Sequence, residues 1–294
     1  MSHKVEPAKL LEGKVLATEI REEIKRTVEG LVAKGCKQPG LLALQAGTHA
    51  SSSWYIEQQE KWAQKLGIYF EKIGPDKLAT QENLIKTLKR SQENQRFDGI
   101  FLAMPLPEGF DADEVLAHLD PRKDVEGIHP ASLGLIVLRR AKLIPPTAYA
   151  ALRLIESTGI PLRGKRAVII GQSAIVGRPL QLLLGERRVT TIVCNTGTPV
   201  EEIESFVASS DIVVACAGSP NRIKGAWIRP GAVVIDVGTT EVEGKLVGDV
   251  EFEKASQRAG FITPVPGGVG PLTVTMLFEN LMHAYQWQQP SLNG

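Results

Sequence analysis

The chain has 294 residues, a length that predicts two domains or one large domain. Hydrophobic residues make up 43% of it, and 34 basic residues stand against 33 acidic ones, which is typical of a soluble globular protein with an ample core. The balance of charge argues against a nucleic-acid-binding arm and against binding to an anionic membrane surface.

The first half of the chain alternates helices and strands, according to the spacing of its apolar residues. In chain order we predict a helix over 15–32, a strand over 41–46, a helix over about 53–66, a strand over 68–73, a helix over 80–94, a strand over 97–104 and a short helix over 113–119. Residues 121–147 are rich in proline and glycine and are predicted to form a loop, with a domain boundary near Pro145 and Pro146. This alternation predicts a parallel sheet with helices on both faces.

The second half repeats the pattern more clearly. We predict a helix over 147–158, a strand over 166–171, a helix that follows 172–179 and runs through 184, a strand over 189–194, a helix over 200–209, strands over 211–217 and 232–238, and a final helix over about 272–285. The order is typical of a nucleotide-binding, doubly wound parallel sheet.

The cysteines Cys36, Cys194 and Cys216 are odd in number and widely spaced. They predict neither a disulfide framework nor a metal site, and they favour a reducing compartment. The N-terminus lacks an apolar signal region, and no run approaches the roughly 20 apolar residues that span a membrane. We therefore expect a cytoplasmic protein.

Polar and aromatic residues are concentrated where the helix after the strand over 41–46 begins. The serines Ser51, Ser52 and Ser53 are expected to satisfy the free amide groups of the helix start. Tyr55 and Gln59 are four residues apart and therefore share one helix face. A ligand above the end of the strand would meet both side chains.

A glycine turn at 171–177 (GQSAIVG) lies where a strand becomes a helix, and such a helix start can hold a phosphate on its backbone N–H groups. The spacing is not G-x-G-x-x-G, and the acidic residue expected about 20 residues further on is absent. A purely structural turn would explain the glycines equally well. Asn195 and Thr196, which end the next strand, could hydrogen-bond a ribose in place of that acidic residue.

Two further segments have both a functional and a structural interpretation. Residues 264–273 combine prolines with glycines, which suits a loop that covers a flat ligand, and the alternative is a tight turn between domains. Asp124 and Glu126 could form a pair of catalytic carboxylates. Because Arg122 and Lys123 precede them, spacing alone favours a solvated charge cluster.

Several strings of residues stand in the order and spacing of one family. They are 11–14 (LEGK), 52–55 (SSWY), 105–107 (PLP), 123–127 (KDVEG), 171–179 (GQSAIVGRP), 248–250 (GDV) and 264–271 (PVPGGVGP). On these strings the chain resembles the methylenetetrahydrofolate dehydrogenase/cyclohydrolase family (the FolD type) over nearly its whole length.

The resemblance implies an α/β fold with two domains. An N-terminal α/β catalytic domain that binds folate is expected over 1–146, completed by a C-terminal helix within 272–294 that returns to it. A Rossmann-like NAD(P)-binding domain with a doubly wound parallel sheet is expected over 147–271. The resemblance also implies a homodimer joined through the Rossmann-like domains. Members pass a hydride from methylenetetrahydrofolate to NAD(P)+, and water then opens the methenyl cation to the formyl form.

The family's functional positions carry over residue by residue. Those carried over as catalytic are Tyr55, Gln59, Met104 and Glu126. Those implied to bind the folate substrate are Ser52, Tyr55, Lys61, Pro105, Leu106, Asp124, Glu126, Pro266, Gly267, Gly268 and Thr273. Those implied to bind NAD or NADP are Gly171, Gln172, Ser173, Ile175, Val176, Gly177, Asn195, Thr196, Gly218, Gly238 and Thr239.

Four of these positions, and Gly197 beside them, depart from the family pattern in ways that bear on activity. Gln59 replaces the catalytic lysine, Met104 replaces the glutamine that partners that lysine, and Glu126 replaces an aspartate while keeping its negative charge. Because glutamine cannot titrate and methionine cannot orient a partner, the cyclohydrolase activity is expected to be weak or absent. Gln172 and Gly197 replace basic residues beside the site of an NADP 2′-phosphate, so NAD is the favoured cofactor.

Three functions remain open at this point. The first is a methylenetetrahydrofolate dehydrogenase with little or no cyclohydrolase activity. The second is a folate enzyme with altered chemistry, such as one-carbon transfer to another acceptor. The third is a non-catalytic protein that keeps the folate or nucleotide pocket.

Overall fold

The computed structural model describes residues 7–289. The strands are β1 Lys9–Leu10, β2 Gly40–Leu44, β3 Tyr69–Ile73, β4 Gly99–Leu102, β5 Arg166–Ile170, β6 Thr190–Cys194, β7 Ile212–Ala215, β8 Val233–Asp236, β9 Thr240–Val242, β10 Lys245–Val247 and β11 Phe261–Ile262. The α-helices are α1 Gly13–Ala33, α2 Ala50–Leu66, α3 Gln81–Glu93, α4 Ala112–Ala117, α5 Pro130–Val137, α6 Pro146–Ser157, α7 Gly177–Glu186, α8 Val200–Ser209, α9 Phe252–Ala255 and α10 Val269–Gln288. Short 3-10 helices cover Pro75–Lys77 and Gly225–Trp227.

The described residues form two compact units. The first unit contains the residues up to Ala17 together with Thr147–Thr273, and the second contains Thr18–Pro146 together with the residues from Val274 onward. The division therefore falls inside α1 and inside α10. We call them the nucleotide-type unit and the α2 unit, after the glycine turn in the first and the helix that carries Tyr55 in the second.

The nucleotide-type unit is built on a six-stranded sheet in the order β1-β11-β8-β7-β5-β6. All five neighbouring pairs are parallel, which confirms the predicted parallel sheet. The strands β7 and β8 are buried along their whole length, and they are apolar except for Asp236 at the end of β8, as is typical of strands covered on both faces. Ile203 and Val207 of α8 pack into the same core as Val168 and Val213. Burial of each such side chain contributes about 1.5–3 kcal/mol to stability.

One predicted boundary is wrong. Residues 1–146 were assigned to a single N-terminal domain, but Lys9 and Leu10 pair with Phe261 and Ile262 at the edge of the six-stranded sheet. Residues 7–17 therefore belong to the nucleotide-type unit. The reason is a close backbone contact, because a Cβ atom on Gly13 would lie 1.8 Å from the carbonyl oxygen of Gly268.

The α2 unit holds a three-stranded parallel sheet in the order β3-β2-β4. Every residue of β2 is buried, and Leu42 and Leu44 share a core with Leu84 and Leu88 of α3. The helix α2 ends at Leu66 because Gly67 adopts a left-handed conformation with φ of 71°. The carboxyl ends of β2 and β4 thus face the start of α2 and the segment that follows α4.

Some elements differ from the prediction. The proline-rich region expected to be a loop contains α5, which begins at Pro130. Proline is tolerated in a first helical turn, and the ring nitrogen of His129 accepts a hydrogen bond from the Ala131 amide there. The final helix begins at Val269, three residues earlier than predicted. In the described part of the chain, no helix is long and apolar enough to cross a membrane.

Candidate active site

The start of α2 is fixed to the ends of two strands. The helix begins at Ala50, with His49 as the preceding cap residue, so Ser52 and Ser53 lie inside its first turn and are not its caps. The Ser52 hydroxyl donates a hydrogen bond of 2.9 Å to the carbonyl oxygen of Met104, just beyond β4. The Ser53 hydroxyl accepts one of 2.8 Å from Gln45, just beyond β2. The predicted serine caps are therefore replaced by contacts that place the helix above the strand ends.

Tyr55 and Gln59 share one face of α2, as predicted. The Tyr55 ring packs against Phe101 of β4, with ring centroids 5.5 Å apart and a tilt of 48°. Burial strongly raises the pKa of the Tyr55 hydroxyl, the nearby Glu126 carboxyl raises it further, and the Gln59 side chain opposes the rise. Tyr55 therefore stays a neutral hydrogen-bonding group.

Gln59 is fully buried. Although its amide lies beside the Tyr55 hydroxyl, neither Oε1 nor Nε2 makes a hydrogen bond of ordinary geometry with a described residue. A buried amide without partners costs about 1–3 kcal/mol. This position therefore carries a polar group that the ligand-free fold does not satisfy.

The segment 123–127 runs beside β4 and carries the two carboxylates. The Lys123 carbonyl accepts a hydrogen bond of 2.7 Å from Ile100, and the buried Lys123 ammonium group donates to the Phe97 carbonyl at 2.6 Å. At its far end Gly127 has φ of 59°, and a Cβ atom there would lie 2.8 Å from the Ile144 backbone. The predicted solvated charge cluster is therefore wrong for Lys123 and Asp124, which are both buried.

Asp124 and Glu126 form a coupled pair with unequal partners. Oδ2 of Asp124 accepts hydrogen bonds from the His129 amide and the Ser132 hydroxyl, both at 2.8 Å, whereas Oδ1 has no hydrogen-bond partner among residues 7–289. Burial raises the pKa of Asp124, and these hydrogen bonds oppose the rise. Burial, with the charge of Asp124, raises the pKa of Glu126 to about 8.

The expectation that Glu126 keeps a negative charge is therefore corrected. A pKa of about 8 leaves this carboxyl group mostly protonated at neutral pH. The cause is a site that is too poorly hydrated, and too close to Asp124, for a second charge. Asp124 differs from Glu126 in having hydrogen bonds from the His129 amide and the Ser132 hydroxyl, which oppose the rise of its pKa on burial.

Buried polar atoms without hydrogen-bond partners are concentrated at this site. Among residues 7–289, three buried side-chain polar atoms lack a hydrogen-bond partner: Oε1 and Nε2 of Gln59, and Oδ1 of Asp124. Both residues were predicted from the sequence to bind or transform the substrate. Buried polar groups in folded proteins are almost always paired, so their concentration here indicates a ligand-binding site.

The nucleotide-type unit places the predicted glycine turn at the carboxyl end of β5. A Cβ atom on Gly171 would lie 2.3 Å from the Cys216 carbonyl oxygen, and one on Gly177 would lie 2.0 Å from that of Gly171. The turn therefore requires glycine at both positions. The helix α7 follows, but few of its first-turn N–H groups can meet a phosphate: Pro179 has none, and the Arg178 amide already donates to the Ser173 carbonyl at 3.1 Å. The Gly177 amide is the one that this start leaves for an anion.

The end of β6 presents neutral polar groups. The Asn195 side chain donates to Oε1 of Gln172 at 3.4 Å and accepts from the Gly197 amide at 2.9 Å. Gln172, Asn195, Thr196 and Gly197 are all exposed. A ribose hydroxyl would find hydrogen-bonding groups there, and neither Gln172 nor Gly197 offers a positive charge to a 2′-phosphate.

Two family models match the chain. Residues 11–126 match the tetrahydrofolate dehydrogenase/cyclohydrolase catalytic domain, and residues 145–289 match the NAD(P)-binding domain of the same family. The chain belongs to the tetrahydrofolate dehydrogenase/cyclohydrolase family. This confirms the resemblance and the two-domain α/β fold, in which the nucleotide-type unit is Rossmann-like.

Curated relatives and solved structures agree. The bifunctional protein FolD of Geotalea daltonii is 39% identical over 278 residues, which cover 94% of this chain and 98% of the relative, and FolD 2 of Myxococcus xanthus is 39% identical with coverages of 94% and 96%. The methylenetetrahydrofolate dehydrogenase-cyclohydrolase of Trypanosoma brucei, solved with NADP and an inhibitor, is 35% identical, covers 96% of this chain and 99% of its own, and has a TM-score of 0.92. The fold is shared by an NAD-dependent methylenetetrahydrofolate dehydrogenase of Saccharomyces cerevisiae. It is 18% identical, with a TM-score of 0.81, and the match covers 98% of this chain and 100% of the yeast chain.

The remaining predicted substrate residues fall into distinct environments. Pro105 is exposed beside Met104, which is itself 39% exposed, whereas Leu106 packs against the core of the α2 unit. Lys61 is exposed on α2 and makes no hydrogen bond or ion pair with a residue in the range 7–289. Of Met104, Pro105, Leu106 and Lys61, only Met104 contacts the start of α2 directly, because its carbonyl oxygen accepts the hydrogen bond from Ser52.

The string 264–273 lies in the nucleotide-type unit. Pro266 is exposed, and Gly267 has φ of 109°, a conformation that suits glycine alone. Gly268 is buried, and its amide donates to the Pro264 carbonyl at 2.8 Å. The Thr273 hydroxyl donates to the Val269 carbonyl of its own helix at 3.2 Å. The string is thus a turn that opens α10.

Sequence reasoning missed residues that hold the site in place. Asn280, a buried amide inside the apolar α10, donates to the Val125 carbonyl at 2.8 Å and to the Ile144 carbonyl at 2.7 Å. It thereby anchors the segment that carries Asp124 and Glu126. The signal was available, because a lone asparagine in an apolar helix needs a buried partner. Ser132, which bonds Asp124, lay in the region predicted to be a loop.

Proposed function

We propose that this protein is a methylenetetrahydrofolate dehydrogenase that transfers a hydride to NAD(P)+, with weak or absent cyclohydrolase activity. The observation that carries the proposal is the set of unpartnered buried atoms on Gln59 and Asp124, beside Tyr55, in the family's catalytic domain. The curated relatives are named bifunctional and the family description names both activities, so the proposed reduction of the cyclohydrolase activity rests on the substituted residues alone.

Each residue has a chemical task in this proposal. Tyr55 offers an aromatic face for a flat ring and a hydroxyl that stays protonated. Oδ1 of Asp124 accepts a hydrogen bond from a ring N–H group, and the protonated Glu126 donates one. Gln59 offers one donor and one acceptor. The turn at 171–177, with Asn195 and Thr196, would hold the dinucleotide, which would supply the acceptor for the hydride that the substrate carbon gives up on becoming a methenyl cation.

The cyclohydrolase step makes different demands. Water must add to the cationic carbon and lose a proton, and a C–N bond must then open. A lysine can change its protonation state to manage that proton, and a glutamine cannot. Hydride transfer needs mainly the two reactants held face to face, which Gln59 and Met104 do not prevent.

We further propose that NAD is used in preference to NADP. The 2′-phosphate carries negative charge and is normally paired with basic side chains. Gln172 and Gly197 supply none, and the Gln172 amide is already engaged by Asn195.

The homodimer implied by the resemblance and the expected cytoplasmic location stay predictions. Light scattering of the purified protein tests the first.

The decisive experiment incubates the purified protein with methylenetetrahydrofolate and either NAD+ or NADP+, and follows absorbance of the reduced dinucleotide. We expect NADH to form, with a higher kcat/KM for NAD+ than for NADP+. Tyr55→Phe and Asp124→Ala should raise the KM for folate, and Glu60→Ala, an exposed neighbour on α2, is the matched control. Folate binding without reduced dinucleotide would contradict the dehydrogenase. Hydrolysis of methenyltetrahydrofolate at ordinary family rates would contradict the loss of the cyclohydrolase.

A further inference from the structure

Two buried carboxylates, Asp236 and Asp249, lie in the nucleotide-type unit and take no part in the site described above. Asp236 is the last residue of β8. Its Oδ1 accepts hydrogen bonds from the amides of Gly238 at 3.1 Å and Asp249 at 3.0 Å, and its Oδ2 accepts one from Val250 at 2.9 Å. One carboxylate therefore joins the end of β8 to the segment 248–250.

Asp249 makes a matching set of contacts with the loop after β7. Its Oδ2 accepts hydrogen bonds from the amides of Ala217 at 2.7 Å and Gly218 at 2.9 Å, and its Oδ1 accepts one from Ser219 at 2.7 Å. Three successive backbone N–H groups thus point at one carboxylate. This arrangement fixes the course of the backbone from 217 to 219.

The space around the pair is closed. A Cβ atom on Gly238 would lie 2.3 Å from the Asp249 carboxyl carbon, and one on Gly248 would lie 2.0 Å from Oδ2 of Asp236. The Asp236 amide donates to the Thr263 hydroxyl at 2.7 Å, which ties the residue after β11 to the same network. The string 248–250, singled out in the sequence, is therefore the centre of a network that spans three strand ends.

The location of the network bears on its role. In doubly wound sheets, ligands bind outside the carboxyl ends of the strands. Asp236, Asp249 and Thr263 are at that edge, and the loops they hold contain Gly218 and Gly238, both implied by the resemblance to bind the dinucleotide. Burying two carboxylates is costly even when backbone amides compensate them.

The charges in the network are unequal. Burial and the nearby Asp249 raise the pKa of Asp236 to about 7, and its three amide donors oppose the rise. Burial and Asp249 also raise the pKa of the Cys216 thiol to about 12, so that thiol stays protonated. Among residues 7–289, the titratable groups in this network are therefore Asp236, Asp249 and Cys216, and Asp249 acts on the other two.

We propose that Asp236 and Asp249 are positioning residues for the dinucleotide, whose carboxylates hold residues 217–219 and Gly238 in the conformation that binds it. The proposal rests on the proposed use of NAD(P)+ and names residues that the cofactor does not need to touch. Substitution by asparagine tests this role. It keeps the size of the side chain but replaces one acceptor oxygen by an NH2 group, which cannot accept hydrogen bonds from the backbone N–H donors.

The test measures dinucleotide affinity directly, by calorimetry on folded protein, together with the separate KM values for dinucleotide and folate. Asp249→Asn and Asp236→Asn should each raise the Kd and KM for the dinucleotide about tenfold or more and leave the KM for folate unchanged. Gly248→Ala should act like Asp236→Asn by displacing that carboxylate. Asp211→Asn is the matched control, because Asp211 accepts the Arg166 amide at 3.0 Å beside the opposite end of β7.

The outcomes separate this inference from the proposed function. Folded Asn variants with wild-type dinucleotide affinity overturn the inference alone, as does an equal loss in Asp211→Asn. If the Asn variants do not fold, hydrogen exchange on the wild type decides. We expect the amides of 217–219 to be protected from exchange before dinucleotide is added. If these amides exchange freely until dinucleotide is added, the inference is overturned. A wild-type protein that binds neither NAD+ nor NADP+ overturns both proposals.

Discussion

Replacing Gln59 by methionine should make the ligand-free protein more stable. Gln59 is fully buried, and both of its polar side-chain atoms lack a hydrogen-bond partner in the described part of the chain. Methionine has a similar size and shape and has no amide to leave unsatisfied. The expected gain in the free energy of unfolding is about 1–3 kcal/mol, the usual cost of an unsatisfied buried group. For a domain of this size, each kcal/mol corresponds to about 2–4 °C in Tm.

The control is the same substitution at a buried glutamine that is satisfied. Gln45 is buried in the same unit and donates to the Ser53 hydroxyl at 2.8 Å. Gln45→Met should lower the free energy of unfolding by about 0.5–1.5 kcal/mol, the net worth of one hydrogen bond. The two substitutions therefore have opposite predicted signs, although both replace a buried amide by a thioether.

The assay is urea denaturation without ligand, followed by tryptophan fluorescence, with folate affinity measured in parallel. Gln59→Met should be more stable than the wild type. It should also bind folate more weakly, because it lacks the side-chain amide that we propose hydrogen-bonds the ligand. A Gln59→Met protein less stable than the wild type would refute the reasoning, since it would show that water already satisfies the amide.

Three other predictions follow from the site. Glu126 has a pKa raised from 4.5 to about 8, so its stabilising contribution is fully present below pH 4.5 and is lost as the pH rises to about 8, and the wild-type stability should fall over that window relative to Glu126→Gln in urea denaturation. Gln59→Lys with Met104→Gln should restore measurable hydrolysis of methenyltetrahydrofolate, and a folded, folate-binding double variant without it would show that other parts of the cleft have changed. Gln172→Arg with Gly197→Lys should tighten NADP binding roughly 10- to 100-fold and leave NAD binding nearly unchanged, as measured by calorimetry.

Much of the fold was predictable because its strands are long apolar runs. The segments that became β2, β7 and β8, and β5 after its exposed Arg166, are buried on both sides, so they stand out without any periodicity. The two-residue strand β1 was not predictable, since its residues are exposed and it exists only because it pairs with β11. The helix α5 was hidden by the glycine and prolines of its region.

The candidate site shows the same limit at the level of single residues. Helical spacing placed Tyr55 and Gln59 on one face, and the family strings identified Asp124 and Glu126. Spacing could not reveal that Glu126 is protonated, because its pKa depends on burial and on the distance to Asp124. Nor could it reveal Asn280, whose partners lie more than a hundred residues away in the chain.

By itself, the sequence determined the order of the main strands and helices, the family, and the presence of a glutamine where a lysine is usual. These are local properties, because each depends on a short run of residues or on one side chain. Only the tertiary structure decided that the Gln59 amide has no hydrogen-bond partner within 7–289, that burial beside Asp124 raises the pKa of Glu126, and that Asp236 and Asp249 hold three strand ends together. Solvation and hydrogen bonding depend on what distant segments bring to one place, and no local pattern records that.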